Sequence, residues 1–106
     1  MAKPFRFGVG LQAGRRQQSV QEWARRVEDL GYDVALVADH LYTTAPFPML
    51  TAIAAATSSL RVGTFVLNAG FYRPALLARE AATLRDLSEG RFELGLGAGY
   101  VKEEFE

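Results

Sequence analysis

The feature that most constrains the fold is a repeated alternation of strand-like apolar runs with amphipathic segments. Residues 5–11 alternate large apolar side chains with arginine and glycine, which is strand periodicity. Residues 34–38 are continuously apolar, as is typical of a buried parallel strand. Two further runs, 60–67 and 92–98, have the same strand character. Four such runs separated by helical segments predict parallel βα units with right-handed crossovers.

Each of the first three runs is followed by a predicted helix. Ser19 and Glu22 form a Ser-x-x-Glu capping box, and Gly31 is the residue expected just beyond the end of the first helix. The alanine-rich segment 49–58 predicts the second helix. Pro74 suits a first helical turn, so the third helix is predicted from there to about residue 88.

Two architectures share this pattern, an open doubly wound sheet and a (β/α)8 barrel. In the fourth run, Gly95, Gly97 and Gly99 alternate with bulky apolar residues. A bulky outer face against helices and a small inner face favour the barrel. A complete barrel takes about 250 residues. The chain is therefore predicted to be α/β, with about four strands and three helices, and residues 1–106 are expected to form the N-terminal half of a barrel domain.

The composition excludes several classes of function. Lys+Arg and Asp+Glu both number 12, so neither a nucleic-acid partner nor a polybasic membrane surface is indicated. The absence of cysteine and the single histidine exclude disulfides, a thiolate nucleophile and Cys- or His-rich metal sites. No apolar run of bilayer length and no signal-peptide core is present, so the expected compartment is the cytoplasm.

Residues suited to chemistry follow the predicted strands. In a barrel, the working residues lie at the C-terminal ends of the strands. Here those ends carry Gln12, the pair Asp39 and His40, Asn68, and the stretch 97–100. We expect Asp39, His40, Asn68 and residues 97–100 to converge at one rim. His40 is the strongest candidate, because a histidine near neutral pH can donate or accept a proton. The structural alternative is a capping aspartate followed by an ordinary surface histidine.

The glycine-rich stretch 95–99 has two explanations that stay open. It fails the G-x-G-x-x-G pattern of dinucleotide-binding loops, because Tyr100 occupies the position of the last glycine. Either small residues fill the inner face of a barrel, or the glycines let a planar ring approach the backbone closely. Beyond it, Glu103 and Glu104 predict the first turn of another helix, where acidic residues are favoured.

Four stretches then occur in a specific order and spacing: LGYD leading to VADH (30–40), LRVGTFVLN (60–68), RPALLARE (73–80) and LSEGRFELGLGAGY (87–100). Together they resemble the bacterial luciferase-like monooxygenase superfamily, especially its oxidoreductases that depend on the deazaflavin coenzyme F420. The resemblance implies a barrel that binds F420, or FMN in an alternative branch, at the C-terminal face. It also implies hydride or electron transfer to or from a small organic substrate, with the cofactor carrying the chemistry.

The resemblance assigns roles residue by residue. Asp39 and His40 match a pair beside the deazaflavin ring, and His40 is implied to orient or protonate the substrate. The bond between Phe65 and Val66 matches a position where relatives carry a cis peptide behind the ring. The residues implied to contact the cofactor are Asp39, Thr64, Phe65, Val66, Asn68, Gly97, Ala98, Gly99 and Tyr100. Sugar-phosphate dehydrogenases of the family carry a glutamate where this chain has Tyr100, which argues against that particular reaction.

Half a barrel would leave its first and fourth strands unpaired at their outer edges. Open edges of apolar strands are templates for pairing, so the sequence predicts a homo-oligomer, a dimer or larger. In the lone chain, the inward Phe65 and Leu67 are expected to be exposed. The alternative to an enzyme is a truncated, non-catalytic (βα)4 module that self-associates and binds no cofactor.

Overall fold

The computed structural model describes residues 5–11 and 18–105, in which helices and parallel strands alternate. The α-helices are α1 (Val20–Asp29), α2 (Pro46–Ala56) and α3 (Pro74–Leu87). The strands are β1 (Gly8–Gly10), β2 (Val34–Val37), β3 (Arg61–Thr64), β4 (Leu67–Asn68), β5 (Phe92–Glu93) and β6 (Leu96–Gly97). The predicted strand end Gln12 lies outside the described residues. In the described part of the chain, no helix has the length and apolar character needed to span a bilayer.

The strands pair in the order in which the chain forms them. One sheet has the order β1-β2-β3-β5, and β4 pairs with β6 in a second, shorter ladder. Every pairing is parallel. The predicted third strand is divided into β3 and β4, and the predicted fourth strand into β5 and β6. Strand β3 pairs with β5, and β4 pairs with β6. The predicted α/β class of parallel βα units is confirmed.

The hydrophobic core lies between the helices and one face of the sheet. Ala35 and Val37 of β2 and Val62 of β3 pack there with residues of all three helices. Leu67 was expected to be exposed, but it is fully buried in this core. The expectation was wrong because the strand breaks after Thr64, so the alternation of faces does not continue from β3 into β4. Phe65, by contrast, is 70% exposed, as expected.

Several predicted boundaries are corrected. Helix α2 begins at Pro46, three residues earlier than predicted, because proline fits the first turn and Pro46 and Phe47 are buried. The connection after β4 contains a 3₁₀ helix, Ala69–Phe71, and the helix predicted to begin at Glu103 and Glu104 is a second short 3₁₀ helix, Lys102–Phe105.

The bulky face of the outer strands is also less covered than predicted. Strand β1 is limited to Gly8–Gly10, and Phe5 and Phe7 before it are exposed. Leu94 and Leu96, expected to pack under helices, are exposed as well. Of these fourth-strand residues, Phe92 is the one that packs against the core in the described part of the chain.

Arg91 joins three elements around the core. Its Nε donates to the carbonyl of Ser88 at 2.8 Å. Its Nη1 donates to Thr57 Oγ1 and the Leu60 carbonyl at 2.9 and 2.8 Å. Its Nη2 donates to the carbonyls of Ala54 and Thr57 at 2.9 and 3.3 Å. The guanidinium thereby binds backbone oxygens at the ends of α2 and α3 and before β3, where carbonyls lack a full set of helix partners.

Glu28 of α1 fixes the chain that enters β3. Its Oε2 accepts hydrogen bonds from the backbone N–H groups of Ser58, Ser59 and Leu60 at 2.8–2.9 Å, and from the Ser59 hydroxyl. Burial opposes ionisation of Glu28, but these hydrogen bonds outweigh it, so the pKa of Glu28 lies below its ordinary value.

We expect Glu28→Gln to weaken the dependence of the free energy of unfolding on pH at acidic pH. The stabilisation from the ionised carboxylate is fully present above the ordinary pKa of glutamate and is lost as the pH falls through the lowered folded-state pKa. Urea unfolding at a series of pH values from neutral to acid measures this dependence. At neutral pH we expect Glu28→Gln to lower the free energy of unfolding by about 1–2 kcal/mol. Asp29→Asn, which removes a neighbouring exposed carboxylate, should keep the wild-type stability at neutral pH. An unchanged slope in Glu28→Gln would contradict the assignment.

The sheet face opposite the helices carries charge at the amino ends of the strands. Arg6 Nη2 donates to Glu93 Oε2 at 2.6 Å, and Arg61 Nε donates to the same oxygen. Burial opposes ionisation of Glu93, but the two guanidinium groups outweigh it and lower its pKa. The inner face is therefore not lined by small residues alone, as the glycine pattern had indicated.

Candidate functional site

The C-terminal ends of the strands surround one cavity of about 450 Å³. Its volume is in the range of small-molecule sites, and its position is the working rim of a parallel α/β fold. The residues that line it are Asp39, His40, Phe65, Val66, Asn68, Gly97, Ala98, Gly99 and Tyr100. The predicted convergence of Asp39, His40, Asn68 and residues 97–100 at one rim is confirmed.

A second cavity of about 480 Å³ adjoins the first, and the two share His40 and Phe65. It is lined by Gly10, Leu11 and residues 36–38 on one side and by Tyr42, Thr43 and Thr44 on the other. His40 therefore borders both spaces, one on the side of β1 and one on the side of β6.

A larger hollow of about 600 Å³ lies at the opposite, amino end of the strands. Its charged groups already have partners within the chain. Arg6 and Arg61 pair with Glu93, Glu28 binds backbone amides, and Asp33 Oδ2 accepts the N–H of Phe7. We assign it a structural role and place the candidate site at the C-terminal rim.

Asp39 joins the ends of two strands. Its carboxylate is buried, and Oδ2 accepts the backbone N–H of Asn68 at 2.9 Å. Asn68 in turn caps the first 3₁₀ helix, because its Oδ1 accepts the N–H of Gly70 at 3.0 Å. Burial, with Asp39 nearby, raises the pKa of Tyr72 to about 12, so that hydroxyl stays protonated. The Asn68 Nδ2 group makes no hydrogen bond within residues 5–11 and 18–105.

His40 is held from three sides. Its Nδ1 lies 3.1 and 3.3 Å from the two carboxylate oxygens of Glu104. Its ring stacks on Tyr42 with centroids 5.2 Å apart, and Tyr100 meets it edge-on at 5.7 Å. Nε2 makes no hydrogen bond among the residues that the structure describes, so it is the ring atom left for a ligand.

Sequence reasoning missed Glu104 as part of this site. It was interpreted as a helix-start residue, yet its carboxylate also accepts the N–H of Leu41 at 2.8 Å. The two partners, His40 and Leu41, precede it by more than sixty positions. No local pattern carries that signal, because the contact exists only once the parallel strands bring both segments to the same rim.

The segment 64–66 contributes in two different ways. The Phe65–Val66 peptide bond is cis, as the resemblance predicted. The side chains of Phe65 and Val66 are 70% and 42% exposed, and both line the first cavity. Thr64 does not line it. Its buried Oγ1 accepts the N–H of Gly95 and donates to the Gly95 carbonyl, each at 2.8 Å, which fastens β3 to the turn before β6.

Close packing within the chain explains the glycine stretch. A Cβ on Gly95 would lie 2.5 Å from the Thr64 carbonyl oxygen, and one on Gly97 would lie 2.5 Å from Val66 Cγ2. Gly99 has φ +84°, and a Cβ there would lie 2.6 Å from Phe105 Cζ. The two explanations offered by the sequence, small residues on the inner face of a barrel and close approach of a planar ring, do not include these contacts. The absent side chains make room for neighbouring segments of the same chain.

We expect Gly99→Ala to destabilise the rim more than Gly31→Ala does. Both glycines have positive φ, so each substitution incurs the left-handed backbone cost of about 1–2 kcal/mol. Only at Gly99 would the new methyl group overlap Phe105 and Asn68, whereas Gly31 has no atom within 4 Å of that position. Urea unfolding of the two variants measures the difference. Equal losses would show that Phe105 does not pack there.

The chain matches a family model described as luciferase-like monooxygenase over residues 1–106. It is 35% identical over 108 residues to an F420-dependent glucose-6-phosphate dehydrogenase from Amycolatopsis mediterranei, covering 91% of this chain and 32% of the relative. The resemblance first seen in the four sequence stretches is thereby confirmed.

Two solved structures share the fold. The coenzyme F420 dependent tetrahydromethanopterin reductase from Methanopyrus kandleri superposes with a TM-score of 0.82 and 29% identity, over 94% of this chain and 28% of the other. The FMN complex of the oxygenating constituent of 3,6-diketocamphane monooxygenase from Pseudomonas putida gives 0.81 at 21% identity, over 93% and 31%. The chain thus spans about three tenths of the length of these proteins.

Proposed function

The chain belongs to the luciferase-like monooxygenase family, and from this premise we propose that it forms the cofactor-facing part of an F420-dependent oxidoreductase. The reaction is hydride transfer between F420 and a small organic substrate. The observation that carries the proposal is the rim cavity bounded by His40, Asn68, Phe65 and Val66. Two of the similar proteins depend on F420, which favours F420 here, and the FMN-bound structure suggests FMN as the alternative cofactor.

The residues of the cavity suit a flat ring. Phe65, Val66 and Tyr100 present exposed apolar or aromatic surface, which a planar ring would cover. Asn68 Nδ2 is available for the polar edge of such a ring, and His40 Nε2 is left for the substrate. No lysine or arginine of the described chain lines the cavity. The residues present therefore fit the ring of a deazaflavin or flavin and leave its phosphate-bearing tail to other groups.

A bound cofactor of this kind supplies the hydride chemistry. The residues of this chain supply position and proton transfer. His40 Nε2 accepts a proton from the substrate in one direction and returns it in the other. Tyr42 and Tyr100 cover a face and an edge of the imidazole and limit its contact with water. Asp39 keeps the ends of β2 and β4 at a fixed separation, so His40 and the Phe65–Val66 segment keep their relative positions.

We further propose that residues 1–106 are the N-terminal half of a barrel domain and that the cavity is completed by further βα units. Because the chain covers only part of the length of its relatives, the activity and the substrate of the whole enzyme are also proposed. Two observations support this proposal. No lysine or arginine of the described chain lines the cavity to bind a phosphate tail. Strand β5 also lies at the edge of the sheet and pairs only with β3 among the described strands.

Equilibrium binding of F420 and of FMN, read from the absorbance retained above a centrifugal filter, tests the proposal. We expect F420 to bind the chain at one per cavity, and binding of FMN alone would favour the alternative cofactor. Ala98→Trp, which fills the cavity, should abolish retention. Ala82→Trp is the matched control, because Ala82 is exposed on α3 and should leave retention unchanged. Absence of binding by both cofactors would refute a cofactor site in this chain.

The second candidate is the self-associating (βα)4 module, and the exposed apolar surface favours it. Phe5, Phe7, Leu94 and Leu96 are each 42–73% exposed, and the outer strands β1 and β5 each pair with one neighbour in the described sheet. Exposed apolar edges promote pairing between copies. We propose a homo-oligomer on this ground. Sedimentation at micromolar concentration tests it, and a stable monomer would contradict it.

A further inference from the structure

Glu104 reaches His40 from the far end of the described chain. Its side chain is 5% exposed, and the His40 side chain is 20% exposed. One carboxylate binds two groups of the same loop, the Nδ1 atom of His40 and the backbone N–H of Leu41. It therefore fixes both the position of the loop after β2 and the rotation of the imidazole ring.

The carboxylate also determines which ring nitrogen carries the proton. Burial opposes ionisation of Glu104, but the hydrogen bonds from Leu41 and His40 outweigh it and hold the pKa of Glu104 below its ordinary value. An ionised carboxylate only accepts hydrogen bonds. The Nδ1 atom facing it must then be protonated, and in the neutral imidazole the proton-free nitrogen is Nε2.

Phe105 keeps the carboxylate in place. Its ring packs into a niche left by the absent side chains of Gly70 and Gly99, and its centroid lies 5.8 Å from that of Phe71. The 3₁₀ helix Lys102–Phe105 is thereby anchored beside both strand-end loops. A carboxylate held this way is preorganised, so little ordering is required when a ligand enters.

We propose that Glu104 is a positioning residue that selects the Nδ1–H tautomer of His40 and so makes Nε2 a proton acceptor at the rim cavity. Glu104 does not line that cavity and acts through His40. The inference rests on the proposed function, because proton acceptance matters only if a substrate is bound there. After Nε2 takes up a proton, the imidazolium remains paired with the carboxylate, which offsets the new charge.

The tautomer can be measured directly, because His40 is the only histidine of the chain. Long-range ¹H–¹⁵N correlation spectra of the labelled full chain distinguish a protonated from a proton-free ring nitrogen. At a pH where the ring is neutral, we expect Nδ1 to be protonated and Nε2 proton-free in the wild type. In Glu104→Gln the side-chain amide can accept from Nδ1 or donate to it, so we expect the Nε2–H tautomer to gain population. Glu103→Gln, at the adjacent exposed carboxylate, should give the wild-type spectrum.

Two results would overturn the proposal. One is an Nε2–H tautomer in the wild type, which needs no variant and so decides the matter even if Glu104→Gln fails to fold. The other is an unchanged tautomer in a folded Glu104→Gln chain, which would reduce Glu104 to a loop anchor. No cofactor takes part in this measurement. A chain that binds neither F420 nor FMN would defeat the proposed function and leave the tautomer result standing.

Discussion

Arg91→Lys is expected to destabilise the chain by about 2–4 kcal/mol, a large fraction of the stability of a small domain. The guanidinium makes five hydrogen bonds, four of them to backbone carbonyls and one to the Thr57 hydroxyl. A lysine ammonium is a point donor with a different reach, and it cannot span the ends of α2 and α3 at once. Part of the carbonyl set would be left without a partner.

Urea unfolding monitored by circular dichroism measures this loss. Arg85→Lys is the matched control, because Arg85 is exposed and its side chain has, among the residues that the structure describes, one 3.7 Å ion pair, with its neighbour Asp86. An exposed pair of this kind contributes little, so that variant should stay within about 0.5 kcal/mol of the wild type. Equal stability of the two variants would show that the Arg91 hydrogen bonds contribute no more than solvent contacts do.

His40→Asn is expected to lower cofactor-dependent turnover by about 10²–10⁴-fold, the usual contribution of a positioned acid–base group. The substitution removes Nε2 from the cavity rim. It keeps the backbone bonds of residue 40, since its N–H and carbonyl, not its ring, bind Thr43. The N–H of Leu41 also still binds Glu104, so the loop after β2 should keep its path, and stability should change much less than turnover.

Steady-state turnover together with cofactor binding separates the two effects. Retained cofactor binding with lost turnover would identify His40 as an acid–base group. Glu103→Gln, beside the site but outside the hydrogen-bond set of His40, should keep wild-type turnover. If turnover in His40→Asn stays within a factor of three of the wild type, the proton is transferred by another group.

The order of elements followed from local pattern alone. Ser19 caps α1 by accepting the N–H of Glu22, and Gly31 has positive φ, both where the sequence placed them. The convergence of Asp39, His40 and Asn68 could be inferred too, since parallel strands bring their C-terminal ends to one edge. These features depend on the spacing of apolar residues and on the direction of the strands, and both can be inferred from a single sequence.

Other features depend on contacts between distant segments, and the sequence carries no local sign of them. The burial of Leu67 follows from an interruption of the third strand, which its apolar pattern conceals. The glycines at 95, 97 and 99 predicted an open lining, whereas each meets another part of the chain. Arg91 was read as part of a family motif, and its hydrogen bonds reach back 31–37 residues to close the end of α2.

The separation of 64 residues between His40 and Glu104 sets an order of events during synthesis. A ribosome releases the chain from its amino end, so β2 and its loop can pair with β1 while Glu104 has yet to be polymerised. On the role proposed for Glu104, His40 therefore acquires its fixed tautomer only after α3, β5 and β6 have been synthesised.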